Sequence, residues 1–313
     1  MPPYRILAID GGGVRGIIPA VILRRLAAEP AISGWLDRVH LIAGTSSGGI
    51  TALALAAGLT PQAIVTFFAA RSPEIFADTV LDDVRDLGRL IGAEYSTEGL
   101  ERVLFDTFGE LRLHQLERHV LIPAFDLDNE AFGTARTWKP KLFHNIPGSD
   151  SDGEQQVAHI ARYTALAPTF FPSEDGFIDG GVYATNPAMC AVAQALDPRR
   201  ATKPPALRDI ALLSLGTGQL GRFIAGDRHN WGTAQWVQPL VELMLESTIG
   251  VPDFQCRQLL GARYRRVQTQ LPAGDPIPLD DVRRIDNLRE IAEQYDLRET
   301  IAWIANGWRS VIG

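Results

Sequence analysis

The residues of this chain best suited to chemistry are a serine flanked by glycines, a glycine loop and a late aspartate. Gly44-Thr45-Ser46-Ser47-Gly48 has the G-x-S-x-G spacing of a nucleophile elbow, a sharp strand-to-helix turn that lifts a serine oxygen clear of a sheet. The flanking glycines let the backbone close up, and the positive end of the following helix favours alkoxide-like charge on Ser46. The same five residues also fit an ordinary helix cap, with Ser47 as a rival hydroxyl. Asp10-Gly11-Gly12-Gly13-Val14-Arg15-Gly16 contains G-x-G-x-x-G, which invites a dinucleotide reading. That reading needs an acidic residue at the end of the second strand. Here the strand ends in Gly44-Thr45-Ser46, and Glu29 and Asp37 lie ahead of it. What remains is a glycine turn at a helix N-terminus whose free amides bind an oxyanion. Arg15 is then either a nearby cation or an ordinary solvated arginine. Phe177-Ile178-Asp179-Gly180-Gly181 sets a carboxylate at a strand end, although Asp-Gly is equally a common turn dipeptide.

A serine nucleophile usually works with a histidine. The six are His40, His114, His119, His144, His159 and His229. His40 falls in a strand, His114 and His119 in a charged stretch, His144 at the start of a polar loop and His159 on a helix. Only His229 has the late loop position of an α/β-hydrolase histidine, and a lone loop histidine is more often polar surface.

These residues need elements to place them. Apolar runs at Arg5–Asp10, Val39–Ala43, Val120–Asp126 and Ile210–Leu215 each end in glycines or a charged turn and read as strands. Helical stretches follow at Ile17–Ala28, Ile50–Ala57, from Thr60-Pro61 to Ala70, and at Val157–Leu166 and Pro187–Leu196. Ala135–Trp138 is expected to pair near the third strand, and 144–156 to be a polar insertion. Later come amphipathic helices at Trp236–Ser247 and Asp253–Leu260, a strand at Tyr264–Gln268, and helices near 286–294 and 296–310. Apolar strands alternating with helices imply an α/β sheet, mostly parallel and covered on both faces. Ligands bind beyond the carboxyl ends of such strands, where all three glycine clusters fall.

The chain has 313 residues, 46% hydrophobic and 21% charged, enough to bury a large core. The expectation is one domain over 1–313, with a motif-bearing core at about 4–218 and a helical C-terminal part at about 234–313. A net charge of −7 speaks against nucleic acid and against attraction to anionic membranes, so any lipid contact is expected to be apolar and local. No run of about 18 apolar residues suggests a membrane span, and the first residues lack a signal-peptide core. Cys190 and Cys256 read as small buried hydrophobes of a reducing cytosol.

Taken together, the clusters resemble the patatin-like phospholipase family, whose marks are D-G-G-G-x-R-G, G-x-S-x-G and a later D-G-[GA]. All three occur here in order, at Asp10–Gly16, Gly44–Gly48 and Asp179–Gly181. Ala167-Pro168-Thr169-Phe170-Phe171-Pro172, Asn186-Pro187 and Leu213–Gly218 look like the family too. The resemblance implies a three-layer α/β/α sandwich and a serine lipid acyl hydrolase of phospholipase A or lysophospholipase type. It implies Ser46 as nucleophile and Asp179 as base without a histidine, with an oxyanion hole at Gly11, Gly12 and Gly13 and Arg15 nearby. Burial against Phe170, Phe171 and Phe177 is expected to raise the pKa of Asp179. Phe67, Phe68, Ile75, Phe76, Val80 and Leu81 line either an acyl groove or plain core. No metal or cofactor is implied, and the protein is expected to be cytoplasmic, with transient contact at a membrane surface. Some bacterial relatives are switched on by cyclic nucleotides, which brings a regulatory nucleotide into view. Acyl transfer on the same site, or a non-catalytic lipid- or nucleotide-binding module, are the rival functions.

Overall fold

A computed structural model describes residues 3–76, 93–129, 136–219, 221, 223–226, 228–272 and 277–308. Val80 and Leu81, two of the groove residues, lie outside them. In chain order the elements are β1 (Tyr4–Ile9), α1 (Ile17–Ala27), β2 (Leu41–Gly44), α2 (Ser47–Ala56), α3 (Pro61–Ile75), α4 (Glu98–Phe108), β3 (His119–Asp126), β4 (Lys139–His144) and α5 (Val157–Ala165). They continue with β5 (Phe177–Asp179), α6 (Gly181–Ala184), α7 (Ala188–Ala195), β6 (Ile210–Leu215), α8 (Thr233–Leu260), β7 (Tyr264–Val267), α9 (Ile285–Gln294) and α10 (Arg298–Ala305).

Among the described residues seven strands form one sheet in the order β4-β3-β2-β1-β6-β7, with β5 also on β3. Strands β3, β2, β1, β6 and β7 are parallel; β4 and β5 run antiparallel to β3. Alternation along the strands makes two cores. Leu7, Ile9, Ile42 and Leu213 join the core under α1–α5, α9 and α10, while Ile6, Ala8, Leu41 and Leu212 join the one under α7 and α8. This is the expected three-layer α/β/α arrangement. The C-terminal third adds β7 to the same sheet, parallel to β6.

Strand β3 explains how distant motifs meet. Its first residues pair with β2 (Ala43 opposite Leu121), and its last pair with β5 (Asp179 opposite Ala124). Because β4 occupies the other edge, β2 and β5 lie end to end along one edge of β3. The chain leaving β2 at Gly44 therefore runs into the end of β5. That junction places Ser46 beside Asp179.

Several local expectations change. Residues 136–138 are not strand; the partner of β3 is Lys139–His144. His144 closes that strand and is buried, and His40 lies exposed one residue before β2. Cys190 is half-buried whereas Cys256 is buried, and both are free thiols. The two helices expected around Gly250-Val251-Pro252 are one continuous helix, α8. Pro252 has no N–H for the Thr248 carbonyl, and the Asn186 N–H donates to that carbonyl at 3.3 Å instead. A tertiary bond thus replaces the missing helical one.

Candidate active site

Ser46 sits between β2 and α2 with φ 55° and ψ −126°, a conformation that an L-residue adopts only at a cost of about 1–3 kcal/mol. Close packing holds it there. A Cβ on Gly44 would lie 2.0 Å from the Gly48 carbonyl oxygen, and one on Gly48 would lie 2.4 Å from that of Ile9, so only glycine fits either motif position. The Ser46 N–H donates to Thr164 Oγ1 at 2.9 Å, and that hydroxyl donates in turn to the Pro123 carbonyl at 2.6 Å. The Ser46 side chain makes no cap bond to α2. The helix-cap alternative is not what the geometry contains.

The Ser46 hydroxyl instead faces the Asp179 carboxylate, close enough to lower its pKa. Asp179 is buried at 5% exposure, and its Oδ1 accepts the Gly181 N–H at 2.6 Å. Burial pushes its pKa up to about 7, and the Gly181 N–H and the neighbouring Ser46 hydroxyl temper the rise. Phe177 stacks on Tyr163, while Phe170 and Phe171 pack against Tyr95. Such a carboxylate is a far better base at neutral pH than a solvated one.

The glycine loop is pinned from several directions. The Gly11 N–H donates to the Thr185 carbonyl at 3.0 Å and the Val14 N–H to the Leu279 carbonyl at 2.7 Å. Thr217 Oγ1 donates to the Gly11 carbonyl at 2.8 Å. The Gly11 amide is therefore committed and drops out of the expected oxyanion hole. The Gly12 and Gly13 amides have no acceptor among the described residues. Gly13 has φ +55°, and a Cβ there would collide with the Leu279 carbonyl. Arg15 is half-buried in the turn Gly13–Gly16, and Gly16 packs against the ring of Phe68 and against Ser47.

Ahead of that loop, Asp10 is fully buried and takes both carboxylate bonds from Arg266, which is itself 5% exposed and also donates to Ser214 Oγ at 2.7 Å. His229 is elsewhere: its Nε2 lies 2.8 Å from the Ala225 carbonyl and its ring against Trp231. No histidine is among the partners of Asp179. Of the groove residues, Phe68 and Ile75 are buried, Phe67 is half-buried, and Phe76 joins Tyr95 and Phe171 in an aromatic group. Tyr95 also donates to Asp280 at 2.8 Å. Thr164, Thr185, Leu279 and Arg266 went unseen in the sequence, where nothing distinguishes them from ordinary helix, turn and strand residues.

With these contacts in view, the comparisons with known proteins bear on the whole arrangement. The model of the patatin-like phospholipase family matches residues 7–192, which contain the glycine loop, Ser46 and Asp179. This chain belongs to the patatin-like phospholipase family. It is 32% identical to CotR of Bacillus subtilis, a protein designated a sporulation hydrolase, over 99% of this chain and all of that one. Identity to a cGAMP-activated phospholipase of Pseudomonas aeruginosa is 29% over 92% of this chain and 84% of that one. To patatin-T5 of Solanum tuberosum it is 30%, over 88% and 78%. Membership makes the protein a lipid acyl hydrolase. Among the described residues no helix is long and apolar enough to cross a membrane.

The Thr164 relay gives a first expectation. Thr164→Val leaves the Ser46 N–H and the Pro123 carbonyl unpaired in a buried site, at about 1–3 kcal/mol each. It is expected to lower kcat about 10- to 100-fold with KM little changed, and Thr164→Ser to restore kcat. An equal loss in both variants would show that the methyl packing, not the hydroxyl, matters.

Proposed function

We propose that the protein releases fatty acid from glycerophospholipid esters through a Ser46–Asp179 dyad and an acyl-enzyme, acting within a single catalytic domain. Ser46 Oγ attacks the ester carbonyl carbon while Asp179 takes the hydroxyl proton. The carbonyl oxygen becomes an oxyanion facing the Gly12 and Gly13 amides, next to Arg15. Asp179 then gives its proton to the departing alkoxide oxygen, leaving the acyl group on Ser46. A water molecule delivers its proton to Asp179 and its oxygen to the acyl carbon, and the fatty acid departs as Ser46 recovers its proton.

The observation that carries this reading is a strained serine set beside a buried aspartate whose pKa is lifted to about 7. Nucleophile and base are thereby matched to neutral pH. The test is covalent labelling by a long-chain alkyl fluorophosphonate, with the labelled peptide mapped by mass spectrometry. Modification is expected on Ser46 and is expected to vanish in both Ser46→Ala and Asp179→Asn. Labelling of Ser47, or undiminished labelling in Asp179→Asn, would sink the dyad.

A further inference from the structure

A lipid acyl hydrolase draws its substrate from a lipid phase, and α8 is placed to meet that phase. It connects β6 to β7, which are parallel, so it runs back against the strand direction. Its Cys256 and Leu260 are buried on the sheet. At its middle, Thr248 Oγ1 lies 2.7 Å from Thr185 Oγ1, and the carbonyls of Thr248 and Ile249 accept from Asn186. Thr185 and Asn186 follow closely on Asp179, so Thr248 marks the level of the catalytic end. The half of the helix before it, Thr233–Ser247, is about 22 Å long at roughly 1.5 Å per residue. That half stands beyond the carboxyl ends of the strands, on the side where Ser46 and Asp179 lie.

Apolar side chains stand exposed on this overhang. Leu243 is 47% exposed and Met244 54%, on the outer face. In the segment leading into the helix, Phe223 is 88% exposed. Trp231 packs edge-on against Trp236 with ring centroids 4.9 Å apart, both half-buried. Half-buried indoles beside exposed aliphatic and phenyl groups suit the boundary between headgroups and acyl chains. The overhang lies beyond the same end of the sheet as Ser46, so a bilayer seated here brings lipid to the end of the sheet where the serine lies. The net charge of −7, with exposed Glu246 beside the apolar pair, selects a zwitterionic surface over an anionic one.

We propose that Phe223, Trp231, Trp236, Leu243 and Met244 form the surface by which this enzyme docks on a zwitterionic phospholipid bilayer, held by apolar insertion. The proposal rests on the substrate being a membrane lipid and not on the dyad. Its test uses full-length Ser46→Ala protein, which binds without consuming the vesicles. Co-sedimentation with phosphatidylcholine vesicles is expected, and phosphatidylcholine with brominated acyl chains is expected to quench tryptophan fluorescence. Phe223→Asp and Met244→Glu, added singly to that protein, are expected to weaken vesicle binding about tenfold each. The same substitutions in the enzyme with Ser46 are expected to leave hydrolysis of a water-soluble short-chain ester unchanged. Binding that ignores both substitutions, that appears only when phosphatidylglycerol is present, or a loss of dimer in place of vesicle affinity would each overturn the docking surface. Failure of the wild-type enzyme on the soluble ester would instead count against the catalytic reading, since vesicle binding is measured without Ser46.

Discussion

Ser46→Ala and Asp179→Asn are each expected to lower kcat/KM for a phospholipid ester by about four to six orders of magnitude, measured as fatty acid released, because a coupled nucleophile and base fail together. The double variant is expected to be no worse than either single one; additive losses would mean that the two groups act separately. The pH profile follows from the same carboxyl. With a pKa of about 7, Asp179 is a base only when deprotonated, so kcat/KM is expected to fall about tenfold per pH unit below that value and to level off above it. Stability moves the other way. The folded state holds a proton more tightly than the unfolded chain, whose carboxyl has a pKa near 3.8. Folding is therefore favoured below about 3.8, and this contribution is lost as pH rises through about 7. The full loss is about 4 kcal/mol. Asp179→Asn carries no such cost, so at pH 8 it is expected to unfold at higher urea than wild type, with the gap closing towards pH 5. An inactive variant that is also more stable would mark Asp179 as a group kept for catalysis. An inactive and less stable one would mark it as structural.

The reach of the sequence differs between the parts of this site. Strands that end in glycines, and a helix after each turn, are local features written in apolar runs and turn residues, so the sheet and the three clusters were legible before any geometry. The proposed dyad was legible only as a resemblance, because the proximity of Ser46 and Asp179 depends on β2 and β5 sharing one edge of β3, and pairing along an edge leaves no trace in either strand. The glycine loop proposed to hold the oxyanion was legible as a loop but not amide by amide. Removing Gly11 from the donors required the Thr185 carbonyl, which reaches Gly11 across more than half of the chain. The sequence reads as two helices, Trp236–Ser247 and Asp253–Leu260, whereas the bonds that Asn186 supplies carry α8 unbroken past Gly250 and Pro252. Thr164 shows the limit most clearly. As one residue in a helical run it has no signature, yet its hydroxyl holds the nucleophile's backbone.

Arg266→Met is expected to destabilise the protein by about 3–5 kcal/mol at neutral pH, the cost of leaving a fully buried carboxylate without its partner. Asp10 begins the glycine motif, and its own N–H donates to the Leu215 carbonyl at 2.9 Å. In the native protein burial pushes the Asp10 carboxyl up and the two-pronged guanidinium opposes it. Without Arg266 the burial and the repulsion from Asp253 remain, so Asp10 takes up a proton to fold. The penalty is then expected to be largest at high pH and to shrink in acid, visible as converging urea midpoints for Arg266→Met and wild type as pH falls. Arg266→Lys keeps the charge but not the fork, and is expected to recover part of the stability. Asp10→Leu combined with Arg266→Met removes both buried charges and is expected to fold nearly as well as wild type. That double variant separates two roles. Full activity in it would mean that the pair only fills the core beneath the loop. Low activity in a stable protein would mean that the pair sets the direction in which β1 delivers Gly12 and Gly13 to the oxyanion, making Arg266 a positioning residue 220 positions along the chain from the serine it serves.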